Sequence, residues 1–99
     1  MNKKEIRTAF RNVVFKRDEN RCVVYKKDVK LGAHHITDRN EIVNGGYVVE
    51  NGISLCVDCH IMAEKYHVTG IAPEGWHPDD LYCKIGSSKE LAIRESEKL

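Results

Sequence analysis

The sequence lacks the segments that direct a chain into a membrane or out of the cell. No apolar run is long enough to cross a bilayer, and residues 1–5 lead into an amphipathic segment instead of the apolar stretch of a secretory signal. Internal repeats and low-complexity stretches are also missing, and 99 residues leave room for one domain only. We therefore expect a single cytoplasmic domain, residues 1–99, with no membrane partner.

A chain of this size buries little apolar surface, so we expect a cross-link to stabilise it. Four cysteines are available for this purpose, and they could form two disulfides or contribute to a structural metal site. A reducing cytoplasm favours the metal site, above all for a Cys-x-x-Cys pair. The alternative for that pair is a redox couple or two buried thiols. The four residues are Cys22, Cys56, Cys59 and Cys83.

The net charge is only +1, but the positive charge is concentrated at the front of the chain. Residues 1–30 hold ten Lys and Arg against four Asp and Glu, whereas residues 31–99 hold six against eleven. Lys3, Arg7 and Arg11 recur at helical spacing and form one basic stripe. Such a stripe is suited to contacting nucleic-acid phosphates, and its alternative is the solvated face of an ordinary amphipathic helix.

The first half of the chain is predicted to begin with a helix and to continue as short extended segments. Asn44-Gly45-Gly46 is a strong turn signal because glycine tolerates a positive φ. The predicted order is a helix from Lys3 to Lys16 or Arg17, a β-type stretch over 21–25, a Lys/Asp-rich turn, a strand over 33–36, the turn at 44–46 and a strand over 53–56.

The second half is predicted to contain two helices. The first runs from Asp58 or Cys59 to His67, and Gly70 stops it. A loop occupies 73–78. Ser87-x-x-Glu90 matches a capping box and predicts a final charged helix to about Lys98.

Four polar residues carry most of the functional information. His34 and His35 are adjacent, Asn51 follows sixteen positions after His35, and His60 follows nine positions after Asn51. Neighbouring residues of a strand point to opposite faces, so the paired histidines are suited to different roles. Imidazoles that bind a divalent cation and deprotonate a water beside it are what a single-metal nuclease requires.

In Ala33-His34-His35-Ile36, in Asn51, and in the run from Leu55 to His60, the sequence resembles the HNH endonuclease family, the ββα-metal nucleases. The resemblance covers about residues 17–67. It implies an α+β fold in which a small ββα-metal core is flanked by N- and C-terminal helices. It further implies that His35 is the general base, that His34 and His60 bind the cation, and that Asn51 pins the loop between the strands.

Two further residues extend this predicted site. Glu64 lies one helical turn after His60, and a carboxylate there favours Mg²⁺ or Mn²⁺ as the catalytic cation. The alternative is a surface glutamate paired with a neighbouring lysine. Arg39 is a candidate phosphate contact, or simply an exposed loop arginine.

The resemblance also implies a structural Zn²⁺ held between two Cys-x-x-Cys knuckles, and here the sequence departs from the family. Tyr25 stands where the fourth cysteine belongs, and a phenol is a poor zinc ligand at neutral pH. We expect Cys22, Cys56 and Cys59 to bind zinc and Cys83 to complete the site, with His67 as the second choice. A three-ligand site, or a zinc-free variant stabilised by aromatic packing, are the alternatives.

The predicted function is a metal-dependent DNA endonuclease, and the resemblance implies that its products carry 5′-phosphate and 3′-hydroxyl ends. A stand-alone domain of this kind could serve a phage, a mobile element, a restriction system or repair, and a partner protein could supply its specificity. A non-catalytic zinc-knuckle DNA-binding module is the alternative, but it has no use for His34, His35 and Asn51. A redox or structural protein would likewise leave the histidines unexplained.

Overall fold

A computed structural model of the chain describes residues 2–26 and 29–99. That part of the chain forms a small α+β domain with four α-helices and a two-stranded antiparallel sheet. The Lys/Asp-rich turn predicted after Tyr25 includes residues 27 and 28, which lie outside the described residues. The elements are α1 (Lys3–Arg17), β1 (Leu31–His35), β2 (Gly52–Cys56), α2 (Val57–Thr69), α3 (Pro78–Lys84) and α4 (Lys89–Ser96).

The sheet places the paired histidines beside the start of α2. In its register, His34 pairs with Ile53 and His35 with Gly52. β2 is buried along its whole length, and α2 follows it without a linker. The connection between the strands contains three short 3₁₀ turns, Arg39–Glu41, Val43–Gly46 and Val49–Asn51. Both predicted strands and the predicted turn at 44–46 are confirmed, with small differences in their ends.

Helix α1 packs across the start of β2 and agrees with its predicted bounds. Its buried side chains Phe10 and Val14 rest on Gly52, where a Cβ atom would lie 2.7 Å from Phe10 Cζ and 2.6 Å from Val14 Cγ2. At the end of α1, the Arg17 guanidinium donates to the carbonyl oxygens of Val49 (2.8 Å) and Gly52 (2.6 Å). Glycine at position 52 thus permits α1 to pack closely against the start of β2.

The β-type stretch predicted over 21–25 is wrong, because the chain turns there. The backbone N–H of Lys26 donates to the carbonyl of Cys22 (2.7 Å), and the N–H of Val23 donates to the carbonyl of Ser54 (3.0 Å). This turn carries the Cys22 side chain into the core, where it is fully buried. Local β-propensity is outweighed here by the burial of the cysteine.

The C-terminal third differs most from the predictions. Helix α3 was not expected; it begins with a capping box at His77 and buries Leu81 and Tyr82. Helix α4 is capped by Ser88 and not by Ser87, whose hydroxyl instead donates to the Glu50 carbonyl (2.8 Å). α2 ends as predicted, at a left-handed Gly70. Within the described ranges, no helix combines the length and apolar character needed to span a membrane.

Candidate metal and catalytic site

Three predicted cation ligands meet between β1 and the first turns of α2. His34 lies on β1, whereas His60 and Glu64 lie one turn apart on α2. Glu64 Oε1 is 3.1 Å from His34 Nδ1 and 3.3 Å from His60 Nε2. One ligand atom from each side chain lies within 4.8 Å of the other two. Two imidazoles and a carboxylate this close together form a donor set that can hold a divalent cation.

The burial of His34 supports a ligand role independently of this spacing. Only 1% of the residue is exposed, and among the described residues neither ring nitrogen has a hydrogen-bond partner. The contact with Glu64 Oε1 is close, but it lacks the geometry of a hydrogen bond. Burial, together with the nearby His60 and His67, lowers the pKa of His34 to about 3. Its imidazole is therefore neutral at pH 7 and keeps a lone pair free for a metal ion.

His35 occupies a different environment from its neighbour. Its ring stacks on Phe10 of α1, with ring centres 5.0 Å apart and planes inclined by 3°. Burial, followed by the nearby Arg39 guanidinium, lowers the pKa of His35, although Asp38 and Glu64 act in the opposite direction. The imidazole is thus neutral at physiological pH, the state in which it can accept a proton.

Asn51 fixes the chain immediately after His35. Its buried amide accepts from the backbone N–H of Thr37 (2.9 Å) and donates to the Thr37 carbonyl (2.9 Å). Its backbone carbonyl accepts from the N–H of Ile36 (2.9 Å). These three bonds hold Ile36 and Thr37, the first residues of the loop between the two strands. Since an amide does not titrate, the residue acts by position alone.

The hydrogen bonds that Asn51 makes to Ile36 and Thr37 form a clamp, here called the Asn51 clamp. Tyr82 of α3 adds to it and was not predicted from the sequence. Its hydroxyl donates to Asn51 Oδ1 (2.6 Å) and lies 2.6 Å from Thr37 Oγ1. A phenol has one proton, so Thr37 must be the donor in the second contact. Burial raises the pKa of Tyr82, which keeps this proton in place. No sequence motif marks Tyr82, since its role depends on where α3 packs.

His67 is a second residue whose place the sequence analysis did not predict. It lies on the same face of α2 as His60 and Glu64, at spacings of i, i+4 and i+7. Its Nε2 is 3.1 Å from the backbone oxygen of His35, and its ring centre is 5.3 Å from that of His34. The three-residue spacing from Glu64 could have revealed it.

The three arginines predicted to bind phosphate line a cleft at the candidate site. Arg7, Arg11 and Arg39 line a cleft that also contains His35 and His60. Arg7 Nε donates to the Tyr47 hydroxyl (3.4 Å), and this hydrogen bond lowers the pKa of Tyr47. Lys3, predicted to belong to the same basic stripe, lines a neighbouring groove instead. Arg7 and Arg11 of the basic stripe therefore line the same cleft as His35 and His60.

Three cysteines form a second cluster in the core. Cys22 and Cys59 are fully buried, Cys56 is nearly so, and their sulfur atoms lie within 4.8 Å of one another. Cys22 Sγ and Cys59 Sγ are 3.6 Å apart. Tetrahedral Zn–S bonds of about 2.3 Å would separate two sulfurs by about 3.8 Å. The three thiols are thus placed to bind a metal such as zinc.

The surroundings of Cys22 favour a thiolate. Burial opposes its ionisation, but backbone N–H groups of Tyr25, Cys56 and Val24 outweigh burial and lower the pKa of the Cys22 thiol. The Tyr25 N–H lies 3.5 Å from the sulfur. Burial and the other two sulfurs raise the pKa of Cys59. A cation is what would allow both buried sulfurs to ionise together.

The expected fourth zinc ligand is not part of this cluster. Cys83 is exposed on α3, and its sulfur is not within the group that lies inside 4.8 Å. His67, the second choice, contacts His35 and His34 instead. The Tyr25 side chain is 53% exposed, so it does not replace the knuckle with buried aromatic packing. The short helix that carries Cys83 holds it at the surface because Leu81 and Tyr82 occupy the buried face.

Comparisons with known proteins identify no relative. No family model matches the chain, and neither a curated protein nor a solved structure matches it. Its family is therefore not shown by similarity. What the two clusters can do has to follow from their own side chains and distances.

Proposed function

We propose that the protein is a metal-dependent DNA endonuclease of the HNH, or ββα-metal, type. The observation that carries this proposal is the group formed by His34, His60 and Glu64, whose ligand atoms lie within 4.8 Å of one another. The group is adjacent to His35 and the Asn51 clamp, in the chain order that the family resemblance implies. β1, β2 and α2 are the elements such a core requires.

His34, His60 and Glu64 would hold the catalytic cation. Buried His34 fits this role, because a cation would partner one of its two ring nitrogens, which have no hydrogen-bond partner among the described residues. The carboxylate of Glu64 favours a hard ion such as Mg²⁺ or Mn²⁺. When bound, such an ion supplies Lewis acidity toward the phosphate and stabilises negative charge on the leaving oxygen.

His35 would act as the general base. Its neutral imidazole accepts a proton from the attacking water on the ring nitrogen that carries no hydrogen. Stacking on Phe10 restricts the tilt of the ring, and the Asn51 clamp fixes the backbone that follows. Both restraints hold the base in one orientation, which is the condition for efficient proton transfer.

The arginine-lined cleft would bind the DNA backbone. Arg7, Arg11 and Arg39 bring three positive charges to the cleft that contains His35 and His60. A guanidinium suits phosphate oxygens because it stays charged and presents several donors. The scissile phosphate would therefore enter from the α1 side of the sheet.

The cysteine cluster would bind a structural zinc ion at the end of β2 that carries Cys56, whereas His35 lies beside Gly52 at the start of that strand. Cys22 lies in a turn whose Val23 N–H donates to the Ser54 carbonyl of β2, Cys56 ends β2 and Cys59 lies in the first turn of α2. One ion would therefore tie this turn and β2 to α2. A zinc-knuckle module that only binds DNA would also use these cysteines. It would not require His34 to be buried with two unpartnered nitrogens, and that burial favours the endonuclease.

The activity itself is tested with supercoiled plasmid. Purified protein is incubated with the plasmid in Mg²⁺, in Mn²⁺ and in a chelator, and relaxed and linear forms are separated by electrophoresis. We expect nicking only with a divalent cation. Plasmid that stays supercoiled in both metals, although the protein is folded and binds DNA, would favour the non-catalytic module.

Loss of one cation ligand should weaken both metal binding and cleavage. We expect His60→Ala and Glu64→Ala each to reduce Mn²⁺ affinity by about tenfold or more, since a removed ligand costs at least as much as a removed supporting contact. Calorimetric titration of Mn²⁺ measures this. Glu95→Ala is the matched control, because Glu95 is a glutamate of α4 whose carboxylate pairs with Lys98, just beyond the end of that helix. Unchanged affinity in both ligand variants would place the cation elsewhere.

A further inference from the structure

The peptide bond between His35 and Ile36 is held on two sides. Its N–H, from Ile36, donates to the Asn51 carbonyl across the sheet. The C=O and N–H of a trans peptide point in opposite directions, so the His35 carbonyl points away from β2. In the described part of the chain, the sheet has two strands, and no further strand lies along that edge of β1. The carbonyl therefore needs a partner from another element.

That partner is His67. Its Nε2 lies 3.1 Å from the His35 oxygen. A carbonyl can only accept, so Nε2 must carry the proton and donate it. His67 is partly buried in the last turns of α2, and its ring rests near that of His34. The proton on Nε2 is thus used in a hydrogen bond to the backbone carbonyl of His35, the candidate base.

We infer that His67 is a positioning residue that ties the strand carrying the base to the helix carrying the cation ligands. This inference rests on the proposed endonuclease function. His60, Glu64 and His67 share one face of α2, so the bond from His67 fixes the distance between the His35 backbone and two of the ligands. Small displacements of a reacting group are costly in rate, which gives such a bond a catalytic consequence.

The geometry separates this role from that of a fourth cation ligand. His67 is not among the side chains whose ligand atoms lie within 4.8 Å of one another. Its Nε2 faces the His35 carbonyl, and its ring meets the ring of His34 at a tilt of 40°. If His67 is a positioning residue, removing its ring should lower the rate of cleavage and leave the affinity for the cation unchanged.

Two variants test the inference. His67→Gln keeps an N–H donor of similar reach, whereas His67→Leu keeps bulk and loses the donor. At saturating Mn²⁺ we expect His67→Leu to nick plasmid about tenfold or more slowly, with unchanged Mn²⁺ affinity by calorimetry, and His67→Gln to recover most of the rate. In the metal-free protein, amide hydrogen exchange at Ile36 should be faster in His67→Leu and near wild type in His67→Gln. Thermal melts verify that both variants are folded.

The outcomes distinguish this inference from the proposed function. Wild-type nicking by His67→Leu would overturn it, and so would a fall in Mn²⁺ affinity in both variants, which would make His67 a ligand. If the wild-type protein does not cleave plasmid, the endonuclease proposal fails, and Ile36 exchange still decides whether His67 holds this peptide. Faster exchange in His67→Leu alone supports the hydrogen bond from His67 to the His35 carbonyl as the restraint on this peptide, and equal exchange in all three proteins refutes it.

Discussion

Replacing His35 with alanine is expected to lower the rate of plasmid nicking by on the order of 10²–10⁴-fold, the usual cost of losing a general base. The protein should remain folded and should still bind DNA, because Arg7, Arg11 and Arg39 are untouched. Nicking rates at saturating Mn²⁺, a thermal melt and a DNA-binding titration measure the three effects separately.

His35→Gln is the companion to this variant. It keeps a polar side chain beside Phe10 but cannot accept a proton near neutral pH, so it should be as inactive as His35→Ala. Because His35 lines an open cleft, imidazole added to the buffer should restore part of the activity of His35→Ala and none of that of a cation-ligand variant. A folded His35→Ala protein that nicks at the wild-type rate would show that another group is the base.

Replacing Cys59 with serine is expected to remove bound zinc and to unfold or strongly destabilise the domain. Cys59 is fully buried with its sulfur 3.6 Å from that of Cys22. Zinc can supply on the order of 10 kcal/mol of folding free energy in a small domain. A net loss of even about 3 kcal/mol would lower the Tm of a domain of this size by roughly 12–24 °C. Elemental analysis and a thermal melt check both results.

Cys83→Ser is the matched control, since it makes the same change at an exposed sulfur outside the cluster. It should leave both zinc content and Tm unchanged. Loss of zinc from Cys83→Ser would mean that Cys83 reaches the site after all. Wild-type protein that is stable and free of zinc when purified without added metal would contradict the zinc assignment itself.

Local patterns were sufficient to predict the elements that carry the histidine cluster. Helical spacing defined α1 and α2, Gly70 defined the end of α2, and short apolar segments defined the two strands. The i, i+4 spacing of His60 and Glu64 placed them on one helix face before any tertiary contact was known. These features depend on residues close together in the chain, which is why they can be read from it.

The cysteines show where such local information ends. Cys56 and Cys59 form a sequence motif, and Cys22 was expected to join them. Cys83 was chosen as the fourth ligand because it was the only cysteine left. Its exposure was decided by α3, a short helix that the sequence analysis did not predict and that buries Leu81 and Tyr82 instead.

The sequence by itself determined the types of chemical group available: two adjacent imidazoles, an amide, a third imidazole one turn before a carboxylate, four cysteines and a basic first helix. Tertiary structure alone decided which of them meet. It buried His34 with no hydrogen-bond partner for its ring nitrogens in the described part of the chain, stacked His35 on Phe10, bonded Tyr82 to Asn51, and brought His67 to the His35 carbonyl. The physical reason is that these contacts join residues 25 to 32 positions apart, so they exist only once α1, α2 and α3 have packed against the sheet.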